Sequence, residues 1–188
     1  AIGFDVLYDM LSLPEYHIGL RKGLIPIYLA AAMHEYRQQL IIADKYGQLA
    51  MTADTLLQIN ANPSAFTLAY IDWDPQKEDF ISTMAEVFSA YVIEAEKTAN
   101  TYDFIVNAMK RWMLSLPKFA KESKTLPSGK RVDERYLGMM KLLRQNTSSY
   151  NLLFEKLPQT FGYDEFTPGM CENIQAAKDC FDGMIDRL

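Results

Sequence analysis

The chain has 188 residues, 49% of them apolar, 12% aromatic and 23% charged, with a formal net charge of −5. That composition excludes a disordered segment, which would be poorer in aromatics and richer in charge, and fits one ordinary globular domain or two small ones. It also excludes a membrane span, because the longest apolar run, residues 24–33, covers ~10 positions where a spanning helix needs ~20.

The apolar spacing predicts a first helix over residues 4–12, broken at Leu13-Pro14. A second is expected over 23–39, with Pro26 in its first turn, where a missing N–H leaves no gap. Leu24, Ile25, Ile27, Tyr28, Leu29, Met33 and Tyr36 make that helix apolar on nearly every face, the pattern of a central, buried helix. Residues 40–43 and 48–51 around Asp44-Lys45-Tyr46-Gly47 predict a hairpin, with Gly47 able to take positive φ. Thr52 is placed to cap a short helix over 53–60, which Asn62-Pro63-Ser64 ends. Residues 65–71 alternate large and small, as a third strand does.

Asp74-Pro75 is an N-cap followed by a first-turn proline, opening a helix to about residue 91. From there the expectation is helical throughout: 101–115, a break at Pro117, a short piece at 118–122, a turn at Pro127-Ser128-Gly129, then 132–144, 152–161 and 168–188. The fold class expected is therefore mainly α (α+β). A helix–hairpin–helix–strand unit over residues 1–72 precedes a bundle of about five helices over 73–188, sharing one core. The first unit is compatible with a winged-helix-like module, or with a small three-stranded sheet braced against the bundle.

Met170, Ile174, Ala177, Phe181, Met184 and Leu188 are spaced 4, 3, 4, 3, 4, a narrow apolar seam suited to a partner helix. No Gly, Asn or Pro stop follows it, and the chain opens at Ala1 without an initiator Met or a secretory pattern. A domain excised from a longer protein is expected, the alternative being a complete small protein with a processed N-terminus and a C-terminal helix packed on its own core. Cys171 and Cys180 lie nine residues apart on one helix, on roughly opposite sides of it. Unable to bridge there, they imply reduced thiols and a cytoplasmic location.

The catalytic templates fail in turn. None of the nine glycines sits in a phosphate-cradling loop, and no Gly-x-Ser-x-Gly elbow is present. His34-Glu35 begins as a zinc-protease helix would, but Gln38 stands where the second His is needed. His34 is expected as a core or rim histidine bonded to a carbonyl, and His17 as a loop residue. Asp72 and Asp74 flank Trp73 and would point the same way in an extended segment, as an acid–base or metal pair would. Asp74 also has a capping role, so an enzyme using this pair stays an alternative. No cofactor and no metal site are expected.

Charge is segregated. Lys110, Arg111, Lys118, Lys121, Lys124, Lys130, Arg131, Arg135, Lys141 and Arg144 are opposed in their stretch only by Glu122, Asp133 and Glu134, a local +7 against −12 elsewhere. Such a stretch can be an ordinary set of solvated helix faces, dock on an acidic protein surface or neutralise phosphates. Trp112 and Phe119 are interleaved with it, but with Met113 and Leu116 they have the spacing of helical core residues, which argues against base stacking. Arg21 and Lys22 precede the second helix, where they could position a phosphate at its N-terminus.

Four stretches carry a family resemblance: Gly19-Leu20-Arg21-Lys22-Gly23 running into Ile25-Pro26-Ile27-Tyr28-Leu29-Ala30; Asn62-Pro63 before Phe66; Trp112 with Leu116-Pro117-Lys118-Phe119-Ala120; and Leu152-Leu153-Phe154-Glu155-Lys156-Leu157-Pro158. Together they resemble a helical internal region of large multidomain bacterial ATP-binding proteins of the phage-defence or restriction-associated kind. The resemblance implies a non-catalytic segment apart from the ATPase core. The resulting expectation is a non-enzymatic helical domain of a larger cytoplasmic bacterial protein, making interdomain or protein–protein contacts and not touching membrane. A nucleic-acid-binding module using the 110–144 stretch is the alternative.

Overall fold

A computed structural model describes residues 1–37, 39–99, 102–145 and 147–185. The chain is mainly helical with one small antiparallel sheet. It divides into two compact units, Ala1–Trp73 with Thr98–Thr101, and Asp74–Lys97 with Tyr102–Leu188.

In the smaller unit, β1 (Ile2–Gly3) leads directly into α1 (Phe4–Ser12). Short 3₁₀ turns at Pro14–Tyr16 and Lys22–Leu24 precede α2 (Ile25–Glu35). The hairpin β2 (Leu40–Asp44) and β3 (Gly47–Leu49) follows, then α3 (Ala53–Ala61), a 3₁₀ turn at Pro63–Ala65 and β4 (Thr67–Tyr70). The sheet order is β1-β4-β2-β3, all antiparallel.

Local chemistry accounts for the joints. The Asp44 carboxylate accepts the N–H groups of Tyr46 and Gly47 at 2.7 and 3.0 Å, closing the hairpin, and Gly47 takes φ +140°. Thr52 Oγ1 accepts the Thr55 N–H at 3.2 Å and caps α3. The core gathers Phe4 and Tyr8 of α1, Ile25, Leu29 and Met33 of α2, Ile42 of β2, Leu56 and Ile59 of α3, and Phe66.

Two expectations fail on α2. It ends at Glu35, not Gln39, because Tyr36 leaves helical geometry and the Gln39 N–H turns back to the Tyr36 carbonyl at 2.8 Å before β2 begins. Nor is it buried all round: Ile25, Leu29 and Met33 face the core, while Ile27 is 65% and Tyr28 56% exposed. A single sheet and two short helices are too small to cover both sides of it. His34, expected in the core or at its rim, is likewise exposed.

The larger unit opens with α4 (Pro75–Val87), where the Asp74 carboxylate accepts the Lys77 N–H at 2.9 Å. The Lys77 side chain is 11% exposed, its ammonium 3.4 Å from Asp74 and 5.9 and 5.8 Å from the rings of Tyr150 and Phe154. A 3₁₀ turn at Ser89–Tyr91 precedes α5 (Glu94–Ala99), which the periodicity did not reveal; α6 (Asp103–Ser115) and α7 (Lys118–Glu122) follow. Next come α8 (Glu134–Leu143), α9 (Ser149–Asn151), a π-helical stretch (Leu152–Lys156), α10 (Leu157–Phe161) and α11 (Met170–Asp182).

The π-helical stretch has a cause in the sequence. In an ordinary α-turn the ring of Pro158 would press on the Phe154 carbonyl and could donate nothing to it. Instead the Leu157 N–H reaches back to the Leu152 carbonyl, and the widened turn relieves the ring. Trp112, wholly buried, stacks edge-on with Phe88 and Phe181 at 5.6 and 6.3 Å between centroids. Helix α11 stops at Asp182, shorter than the expected run to residue 188; beyond it the Met184 and Ile185 N–H groups bond the Phe181 and Asp182 carbonyls three residues back, at 3.2 and 2.9 Å, and the helix tightens into a turn.

Candidate interaction surface

The C-terminal seam is not a free surface. Met170, Ile174, Ala177 and Phe181 are 0% exposed and Met184 2%, so their apolar area is already covered within the chain. That corrects the expectation of a partner-helix seam. The spacing does mark an apolar stripe, but a stripe packs on the chain's own core as readily as on a partner's. Leu188 lies outside the described residues.

The basic stretch is thinned by its own contacts. Arg111 forks onto Glu96, two N–H···O bonds of 2.9 Å each, and its Nε donates to the Tyr91 carbonyl at 2.8 Å. That fork holds the Glu96 carboxyl below the usual carboxylate range. Arg135 pairs with Asp133 at 2.6 Å, while the same carboxylate caps α8 through the Arg135 N–H. Two more cations close helix C-termini, where carbonyls lack partners. Lys121 Nζ donates to the Leu114 carbonyl at 3.2 Å, and the Arg144 guanidinium to the Lys121 carbonyl at 3.3 Å.

What remains outward is more local. Lys118 on α7, Lys124, Lys130 and Arg131 on the loop before α8, and Lys141 on α8 are all exposed. That loop doubles back at Pro127-Ser128-Gly129, as expected, with Leu126 N–H bonded to the Lys130 carbonyl at 2.7 Å and Gly129 at φ +82°. Between α6 and the end of α8 runs an open groove of about 410 Å³ lined by Lys110, Met113, Leu114, Leu143, Arg144 and Gln145. Its floor is aliphatic and Leu114 is 68% exposed. Among the described residues no carboxylate pairs with Lys110 or Arg144. The sequence carried a missed signal here: Asn107, Lys110 and Leu114 share one outer face of α6, with Leu114 the apolar intruder.

Only one of the two aromatic side chains interleaved with the basic stretch reaches the surface. Trp112 is 0% exposed with its indole N–H bonded to Asp182 at 2.8 Å, and Phe119 is 43% exposed. Arg21 and Lys22 are exposed, but they stand at the start of the 3₁₀ turn Lys22–Leu24 and not at the first turn of α2. At the hairpin tip the Lys45 ammonium sits 4.7 Å from the Tyr46 ring centroid. The Asp72/Asp74 pair is divided in role. Asp72 is exposed, whereas Asp74 is committed to the start of α4, and the Lys77 N–H holds its carboxyl below the normal range.

A second cleft, of about 440 Å³, lies between Leu126, Pro127 and Ser128 and the end of α11 at Asp179, Cys180, Gly183 and Met184. Burial pushes the Cys180 thiol up, and Asp133 adds to the effect, so it is a poor nucleophile. Among the described residues no cluster of His, Cys, Asp and Glu could hold a metal ion, and no helix is long and apolar enough to cross a membrane. No protein-family model, curated protein or solved structure matches this chain.

Proposed function

We propose that the larger unit is a non-catalytic docking module whose ligand is an acidic protein segment carrying an apolar anchor. One observation carries this reading: the α6–α8 groove sets Lys110 and Arg144, neither paired with a carboxylate among the described residues, beside an aliphatic floor with Leu114 largely exposed. A carboxylate on the ligand would meet Lys110 and the remaining donors of the Arg144 fork. Its apolar side chain would cover Met113, Leu114 and Leu143. Charge sets register and association rate in such contacts, and the apolar anchor supplies most of the affinity.

Nucleic acid is the less favoured ligand for the same surface. Base stacking needs exposed aromatic faces, and of Trp112 and Phe119 the larger is wholly buried, leaving Phe119 as a single exposed ring. The resemblance to helical regions of ATP-binding defence proteins is consistent with a docking role but adds no residue to it.

The test is fluorescence anisotropy with three labelled probes at low ionic strength: a Glu-rich peptide containing one Leu, the same peptide with Ser for Leu, and a DNA duplex. The Leu peptide is expected to bind, to weaken with added salt, and to lose most of its affinity with Lys110→Glu or Leu114→Ser. No binding of either peptide, or tighter binding of the duplex, overturns the proposal.

A further inference from the structure

The smaller unit presents a second surface, independent of the groove. Leu24, Ile27 and Tyr28 are 44%, 65% and 56% exposed, and Ala31 and Ala32 are exposed beside them. At ~100° per residue, Leu24, Ile27, Tyr28 and Ala31 fall within a stripe about 100° wide, the width a helix normally turns toward a core. The opposite stripe of α2, Ile25, Leu29 and Met33, already faces the unit's own core. Helix α2 is thus apolar on two sides, with one side covered.

The ends of the open stripe carry opposite charge. Arg21 and Lys22 stand at its N-terminal end and Glu35 at its C-terminal end, all exposed. We infer that the partner of this face is a second copy of the chain, with the two α2 helices packed antiparallel about a two-fold axis. With Ile27 of one copy against Tyr28 of the other, Leu24 meets Ala31, a large side chain against a small one that lets helix axes approach to ~8–10 Å. The same register brings Arg21 and Lys22 of each copy to the level of Glu35 of the other. Arg37, also exposed, follows in the turn beyond the end of α2, where Tyr36 has left helical geometry.

Parallel pairing would set Arg21 and Lys22 against their own copies and align the helix dipoles unfavourably. The antiparallel arrangement avoids both, and a two-fold interface repeats each contact twice. The stripe is small, since a stable interface buries ~800 Å² per partner, so the dimer is weak and concentration-dependent.

Sedimentation of the full 188-residue chain across a concentration series tests this. A monomer–dimer equilibrium is expected, abolished by Ile27→Glu, a substitution at a site too exposed to disturb the fold. Arg21→Glu or Glu35→Arg alone is expected to weaken the dimer about tenfold, because the two-fold doubles each reversal. The double variant Arg21→Glu/Glu35→Arg restores it to within about threefold of the parent. A chain that stays monomeric up to ~1 mM, where association would be worth no more than ~4 kcal/mol, overturns the inference. So does a dimer indifferent to Ile27→Glu, or a double variant no better than the singles.

Discussion

The indole N–H of Trp112 donates to the Asp182 carboxylate at 2.8 Å, tying α6 to the last residue of α11 across 70 positions of sequence. Lys178 reaches the other oxygen of the same carboxylate at 2.7 Å. Removing the acceptor would leave a buried donor unsatisfied, which costs about 1–3 kcal/mol. Asp182→Ala is therefore expected to lower stability by about that amount, and Asp182→Asn, which keeps an acceptor oxygen, by clearly less. Urea denaturation followed by tryptophan fluorescence checks the ranking.

The Arg111–Glu96 fork gives a pH signature. Its two side chains are 31% and 30% exposed, and Arg111 lowers the Glu96 pKa. A depressed carboxyl pKa contributes stability above the unfolded value, ~4.3 for Glu, and the contribution vanishes as pH falls through the folded value. Glu96→Gln should be less stable than the parent at neutral pH, with the gap closing in acid. A double-mutant cycle with Arg111→Gln is expected to return a coupling of about 1 kcal/mol at most. Arg111→Lys will not substitute, since it cannot fork and also lacks the Nε that reaches the Tyr91 carbonyl.

Helix α8 packs at Gly138 so closely that an added Cβ would stand 2.7 Å from Thr160 Cγ2. Gly→Ala in a helix ordinarily gains up to ~1 kcal/mol. Here the clash should reverse the sign, with a loss of about 1–3 kcal/mol. Gly138→Ala/Thr160→Ser removes the offending methyl while keeping the hydroxyl that bonds the Lys156 carbonyl, and recovery of thermal stability in that double variant is the check.

Both cysteines are half-buried, and burial raises both thiols. Burial pushes the Cys171 thiol up to about 11, so at pH 8 only ~1 molecule in 1,000 carries the reactive thiolate. Reaction with an aromatic disulfide reagent should be slow in the native protein and fast for both thiols once it is denatured. Rapid native labelling at Cys171 would contradict the burial of α11.

Local signals were the most legible in the sequence. Asp74-Pro75, Thr52 and the Asp44–Gly47 turn declare themselves through side chains that bond their own backbone, so α4, α3 and the hairpin could be read directly. The first helix and α7 fall where spacing and proline place them. The two-residue β1 is too short to show any period, and the six-residue α5 is polar enough to pass for a loop. Tertiary coverage was invisible in principle. The seam of α11 and the exposed stripe of α2 look alike as patterns, yet one is buried and the other open. The basic stretch likewise reads as a single feature until Glu96, Asp133 and two helix ends claim four of its cations.

Lys77 gives the larger unit an internal reporter. Its side chain is 11% exposed and its ammonium lies between Asp74 and the rings of Tyr150 and Phe154, largely shielded from amine-reactive reagents, whereas Lys118, Lys124, Lys130 and Lys141 stand in solvent. Acylation of the native protein is expected to modify those four first and Lys77 last, with peptide mass mapping as the check. The rate at which its mass label appears then follows opening of the α4 start against the Tyr150–Phe154 turn, one site timing a motion that bulk spectroscopy averages away.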